Sequence, residues 1–248
     1  MINNFMRSPL PNTLAVIVLI ALIVSWLTSL LLILRDAPIA TDKGWYAALL
    51  PLFSVLGIPA ALDLLQIKGA AFIFAAIVFV VFGLNIFIPV VRIIGKSSNP
   101  LTDNWYKWAI PISVMGGLAV AGYLTFVEST STLIMCGPTG GCEQVQNSKY
   151  AILFGVLPIG KLGLIGYFAI LAGWIAWQFG PYAIQKIGVL SIWAMCIFGV
   201  LFSIYLTFLE PFVIGATCMW CISSAVLMMI LLLVSTPPAQ QAFTINGD

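Results

Sequence analysis

The sequence predicts an all-α integral membrane protein: a four-helix transmembrane bundle preceded by two or three extra N-terminal membrane segments. Three observations carry that reading. Of 248 residues, 62% are apolar and only 7% are charged, against about 25% charged in an ordinary soluble domain. The apolar residues fall into runs at 14–34, 70–91, 109–127, 159–177, 187–209 and 212–234. Each is close to the ~20 residues a helix needs to cross a ~30 Å hydrocarbon layer. No run carries an acidic or basic residue near its centre, so an ion pathway or intramembrane proton relay is not expected.

The elements follow in order. Met1 to Asn12 contains one basic residue, Arg7, and leads into an apolar run too long for a signal-peptide core, with no small-residue cleavage site before Arg35. A retained first membrane helix is expected. Residues 45–62 are apolar but interrupted by Pro51, Gly57 and Pro59. Proline inside a helix removes a hydrogen bond, although neighbouring helices can satisfy the freed carbonyl. An interfacial helix here gives six spans, the reading preferred; a broken transmembrane helix gives seven, the reading that charge counting prefers. Gly95 to Pro100 is a polar break ending in proline and reads as a loop. It divides an N-terminal membrane region, residues 1–103, from a catalytic region, residues 104–248, which holds four spans and all five cysteines. The chain ends fourteen residues after Val234, so no soluble domain is expected behind the last span.

Composition also excludes functions. A net charge of +2 without a Lys/Arg cluster gives nucleic acid no electrostatic footing. Histidine is absent, which removes histidine-ligated haem, most catalytic zinc sites and every Ser-His or Cys-His nucleophile. Cysteine is the remaining candidate for chemistry. Tyr123-Leu-Thr-Phe-Val-Glu128 recurs as Tyr205-Leu-Thr-Phe-Leu-Glu210, and at that offset of 82 residues Cys136 falls on Cys218. Either this is a common membrane-helix ending, or two helices leave the bilayer on one face and each presents a cysteine there.

Two cysteine pairs result: Cys136-Gly-Pro-Thr-Gly-Gly-Cys142 in a loop, and Cys218-Met-Trp-Cys221 at the start of the last span. Residues i and i+3 of a helix lie roughly 5 Å apart, inside the disulfide window, and a helix N-terminus favours thiolate. A structural zinc, two inert disulfides and unrelated buried thiols compete with the reading as a redox relay, in which a thiolate of one pair attacks the disulfide of the other. The zinc reading suffers from five residues between the first two cysteines, where two to four are usual, and no metal site is expected. Cys196, mid-span among Trp193, Met195 and Phe198, reads as packing. The relay needs a terminal acceptor. With no histidine, nucleotide fingerprint or iron–sulfur spacing, a lipid-soluble quinone (ubiquinone, menaquinone or plastoquinone) in an apolar cleft of the bundle is the economical choice. Trp220, Phe154 and Tyr150 are candidates to stack on its ring, or equally belong to an interfacial aromatic belt.

Cys136-x5-Cys142, Ser148 six residues beyond, Phe154-Gly155, Pro158, Gly163-Leu-Ile-Gly-Tyr167 and the later Thr217-Cys218-Met-Trp-Cys221 together resemble the vitamin K epoxide reductase family, and its bacterial disulfide-forming branch most. The resemblance covers about residues 104–235. It implies a four-helix bundle around a quinone, with Cys142 taking electrons from a thioredoxin-like or DsbA-like partner and Cys136 passing them to Cys218. Cys221 then faces the quinone, and Ser148 supports the loop or the quinone site. The pattern departs from the family in one extra residue between Gly155 and Pro158, and in Ala225, where vertebrate epoxide reductases carry tyrosine, which counts against epoxide chemistry. No fused thioredoxin-like domain is expected, so the partner would act in trans. The expected protein is a multi-pass inner (plasma) membrane thiol oxidase with its cysteines on the extracytoplasmic face, driving disulfide formation in exported proteins. The alternative is a non-catalytic subunit or assembly factor of a larger membrane complex. A DsbB-type oxidase fits less well, because there the Cys-x-x-Cys pair comes first.

Overall fold

The computed structural model describes residues 2–34, 51–66, 71–94, 106–138, 140–153 and 155–244. Its helices are α1 (Ile2–Phe5), α2 (Pro9–Leu34), α3 (Ile58–Leu64), α4 (Ala71–Ile94), α5 (Tyr106–Thr130), α6 (Cys142–Gln146), α7 (Ile159–Phe179), α8 (Tyr182–Leu209) and α9 (Met219–Thr244). The strands β1 (Ile152–Leu153) and β2 (Leu157–Pro158) form a small antiparallel hairpin before α7. Gly155, at φ 73°, makes its turn, a conformation that a side chain would oppose. The chain is an all-α integral membrane protein, and five of its helices (α2, α5, α7, α8 and α9) are long and apolar enough to cross a membrane.

Helices α5, α7, α8 and α9 close into a ring in which each packs against the next and α9 returns to α5. The N-terminal helices then line the outside of α9: α2 lies along α8 and α9, whereas α3 packs against α9 and α4 against α5. One apolar core therefore runs from Ala15 and Leu22 on α2, through Ala60 and Leu64 on α3, to Val226 and Ile230 on α9. This explains a peculiarity of α9. In its apolar stretch 89% of residues are buried, against 17% in α7 and 28% in α8. A helix surrounded by protein needs no polar face, and α9 carries no polar side chain between Ser224 and Ser235.

The last helix begins later than its hydropathy suggests. Glu210–Ile214 forms one π-helical turn, and Gly215, at φ 78°, terminates it. The Glu210 carbonyl accepts the N–H groups of both Gly215 (2.8 Å) and Ala216 (3.2 Å), as left-handed helix ends require. The chain then re-enters helix at Met219, so that Cys218 caps α9 and accepts its first helical bond from Ile222 N–H (3.0 Å). At the other end α9 continues through Pro237 and Pro238 to Thr244, tied down by the Gln240 amide, which donates to the Leu32 carbonyl (3.0 Å).

The interrupted segment is two short helical pieces within Pro51–Leu64. They break at Leu56–Gly57, where the Phe82 ring fills the space that a Cβ at Gly57 would occupy. These 14 residues reach about 21 Å at 1.5 Å each, short of a bilayer core. Both α2 and α4 start at the face that carries the cysteine loop: Asn12 bonds Thr217, and Phe74 lies against Tyr123. The described part of the interrupted segment ends at the same face, where Asp63 lies against Gly137; the rest of the chain between Leu34 and Ala71, on which the choice between six and seven spans depends, lies outside the described residues.

Polar contacts pin the N-terminal helices to the segment preceding Cys218. The Asn4 amide donates to the Val213 carbonyl (3.0 Å), and Phe5 stacks on Phe212. Asn12, fully buried, donates to the Phe5 carbonyl (2.8 Å) and accepts the Thr217 hydroxyl (2.8 Å). Asn12→Ala leaves Thr217 Oγ1 buried without that acceptor, at a cost of about 1–3 kcal/mol. Its thermal midpoint in detergent should fall by several degrees; an unchanged midpoint would show that the contact contributes nothing.

Candidate redox site

The loop of the first cysteine pair is seated at three points. Met135 N–H donates to the Tyr123 hydroxyl (2.9 Å), and Trp220 Nε1–H donates to the Met135 carbonyl (2.9 Å), with the two rings 4.4 Å apart. Both backbone groups of the residue before Cys136 are thereby fixed. Gly141 N–H donates to the Thr217 carbonyl (2.8 Å), which fixes the residue before Cys142 to the residue before Cys218. Gly137 lies against Asp63 of α3, whose carboxylate and backbone fill the place of a Cβ. Glycine is required there, because any side chain would push the loop off α3.

Cys136 and Cys142 are joined by a disulfide with Cα atoms 5.9 Å apart, while Cys196, Cys218 and Cys221 are free thiols. The two pairs share one end of the bundle. Cys142 is 1% exposed and Cys218 is fully buried, whereas Cys136 and Cys221 are partly buried. Cys218 N–H donates to Glu210 Oε2 (3.0 Å), and the Cys221 thiol reaches both the Glu210 carboxylate and Cys218. Cys196 is fully enclosed in the core of α8, away from the other four.

Cys221 also lines an apolar cavity of about 430 Å³ enclosed by α5, α7, α8 and α9. Ile165 and Phe198 of its lining are 60% and 64% exposed, so it reaches the lipid-facing surface between α7 and α8. Gly163 and Gly166 make room on α7. Polar groups are few: the Cys221 thiol, Ser203, Thr207, and the Tyr167 hydroxyl bonded to Ser224 Oγ (3.0 Å). Walls that are mostly apolar with a few hydrogen-bonding groups suit an apolar ligand that carries a polar end. Ala225 is part of the lining, so that position offers a methyl group and no phenol.

The candidate ring contacts are distributed otherwise. Trp220, fully buried, does not line this cavity; it faces the loop side, where it clamps Met135, because Cys221 and Trp220 are successive residues of a helix and point about 100° apart. Ser148 and Tyr150 line a separate small cell beside Cys221. Phe154 lies outside the described residues. Sequence reasoning missed Tyr167 and Ser224 as cavity groups and Asn12 and Asp63 as supports. For Glu210 a signal existed: both glutamates of the repeat accept backbone N–H groups at the start of a later helix, Glu128 from Gly160 (2.9 Å) and Glu210 from Cys218.

Neither the curated proteins nor the solved structures yielded a match to this chain. The profile of the vitamin K epoxide reductase family matches residues 108–236, which begin on α5, close the ring of four helices and include every residue of both cysteine pairs. On that match, and with its cysteine pairs arranged for thiol–disulfide exchange at one end of a membrane bundle, the chain belongs to the vitamin K epoxide reductase family.

Proposed function

We propose that the protein is a quinone-dependent thiol oxidase of the inner (plasma) membrane, which re-oxidises an extracytoplasmic thioredoxin-like or DsbA-like partner and so drives disulfide formation in exported proteins. The observation that carries this reading is the Gly141–Thr217 bond, which sets the loop disulfide beside Cys218, while Cys221, one helical turn on, lines the lipid-open cavity. Electrons then need cross only from one sulfur pair to the next and from Cys221 to the cavity.

Exposure supports a division of labour converse to the one implied by family resemblance. Cys136 is the more accessible sulfur of its pair, and Leu133 and Met135 beside it are 78% and 50% exposed, an apolar lip suited to a thioredoxin-fold surface. A partner thiolate attacks Cys136, and Cys142 leaves. Once the partner's second thiol has resolved the mixed disulfide, the Cys142 thiolate attacks Cys218 of an oxidised Cys218–Cys221 pair. A quinone bound in the cavity supplies a two-electron acceptor. Tyr167, Ser224 and Thr207 orient a carbonyl-bearing ring beside Cys221, and the aliphatic walls exclude water. The positive-inside pattern of Arg92, Lys96, Lys107 and Lys186 supports an extracytoplasmic site.

The test is turnover by purified protein in detergent, given a reduced thioredoxin-fold protein and a short-tailed ubiquinone analogue. One quinone should be reduced for each partner disulfide formed, and alkylation trapping should show both cysteine pairs shifting between states as quinone is supplied. A single fixed redox state with no quinone reduction would favour the non-catalytic subunit.

A further inference from the structure

Glu210 ends α8 only 2% exposed. A carboxylate in contact with Cys218 N–H and the Cys221 thiol touches the reacting atoms of the inner pair. Beside it lies a small, partly open cell of about 40 Å³, whose mainly apolar walls carry Glu210, Cys221, Glu128, Ser148 and Tyr150. Two atoms of that lining, Glu128 Oε2 and Ser148 Oγ, are buried with no hydrogen-bond partner. Buried polar atoms are nearly always satisfied, and the cell has room for one water molecule to serve these two atoms. Glu128 belongs at the same time to an outward groove of about 300 Å³ with Glu143, Gln146 and Thr132. A chain of polar groups thus runs from Cys221 through Glu210, the cell and Glu128 to the surface of the cysteine-bearing end.

We propose that Glu210 is the catalytic residue that exchanges protons with the inner cysteine pair, and that the cell with Glu128 on its wall is the route by which Glu210 is reloaded from outside. This rests on the thiol-oxidase reading. In the exchange step, Cys142 thiolate forms a bond to Cys218 sulfur as the Cys218–Cys221 bond breaks. The electron pair of the broken bond goes to Cys221, and the Glu210 carboxyl gives its proton to that leaving thiolate, becoming a carboxylate. The Cys136 thiolate then attacks Cys142, re-forming the loop disulfide and releasing Cys218; when a quinone next oxidises the inner pair, the same carboxylate takes the proton from Cys221 and exposes a thiolate to the apolar cavity. The pair has two sulfurs and Glu210 holds one proton, so each cycle requires the carboxyl to be recharged or discharged between steps. A water bridge to Glu128 supplies that exchange without opening the apolar cavity.

Glu210→Gln is the test, because an amide oxygen still accepts Cys218 N–H but the group no longer exchanges a proton. Rapid-quench alkylation separates the two half-reactions. Partner attack on the Cys136–Cys142 disulfide should proceed at the wild-type rate, whereas transfer from the loop pair to Cys218–Cys221, and with it quinone reduction, should slow about 10²-fold. Glu128→Gln should leave the first turnover intact and slow steady cycling several-fold. Wild-type transfer in Glu210→Gln, or equal slowing of both half-reactions, overturns the proton assignment. If Glu210→Gln does not fold, as judged by loss of the loop disulfide, the Glu128→Gln pattern decides alone: unchanged steady cycling overturns it. Absence of turnover in the wild-type chain would instead sink the oxidase reading, and the proposal with it.

Discussion

Cys221→Ser should reduce quinone turnover to background while leaving the partner able to reduce the Cys136–Cys142 disulfide. The expectation follows from which bonds each sulfur can make. Without Cys221 there is no inner disulfide for Cys142 to open, and no thiol facing the 430 Å³ cavity, since Cys218 is fully buried behind it. Serine fills the same volume and keeps a hydrogen-bonding group against Glu210, so folding should survive, and the loss belongs to the chemistry. Alkylation trapping should find the loop pair accumulating as dithiol, reduced by the partner but with no onward acceptor. Cys218→Ser should give the same pattern, by removing the atom that Cys142 attacks. Cys196→Ala is the control. Its sulfur is enclosed in the core of α8 with no member of either pair beside it, and turnover should be retained with only a modest loss of stability from the small cavity. Quinone reduction persisting in Cys221→Ser would mean that electrons leave the protein by another group, and the assignment of the apolar cavity would fall.

The fold and the two cysteine pairs were legible in the sequence because both are written in local signals. Twenty-residue apolar runs define helices whatever their neighbours do, and the repeat of Tyr-Leu-Thr-Phe with a glutamate and a later cysteine correctly put Cys136 and Cys218 at one end of the bundle. What was not legible depends on packing between distant segments. Trp220 looks like a ring-stacking residue until the turn of α9 sets it away from the cavity, against Tyr123. Asn12 and Asp63 look like ordinary polar residues at helix ends, and their meaning appears only where α2 meets Thr217 and α3 meets Gly137. Hydropathy could not place the break at Gly57 either, because it depends on the Phe82 ring of α4 filling the space beside that glycine.

Gly141→Val should uncouple the two pairs without touching any sulfur. A Cβ at residue 141 would lie 2.6 Å from the Ala216 Cβ, and Ala216 is 1% exposed, held between the π turn and Cys218. Valine adds two further methyl groups, so the loop has to withdraw, and the 2.8 Å bond from Gly141 N–H to the Thr217 carbonyl breaks. The loop remains closed by its own disulfide and clamped at Met135, which limits the damage to about 1–3 kcal/mol of overpacking. Its consequence for transfer is larger, because a displacement of about 1 Å at reacting atoms can cost roughly 10²-fold in rate. The direct readout is a background carrying Cys136→Ala and Cys221→Ala, where Cys142 and Cys218 are left to pair with each other on mild oxidation. That interloop disulfide should form readily with Gly141 and fall at least tenfold in yield with valine, in step with a roughly 10²-fold loss of turnover when the four cysteines are restored. Gly122→Ala, on α5 with no atom within 4 Å of the added methyl, should leave both measurements unchanged. Were valine at 141 to preserve the interloop bond and the turnover together, the contact between Gly141 and Thr217 could not be what holds the outer pair against the inner one.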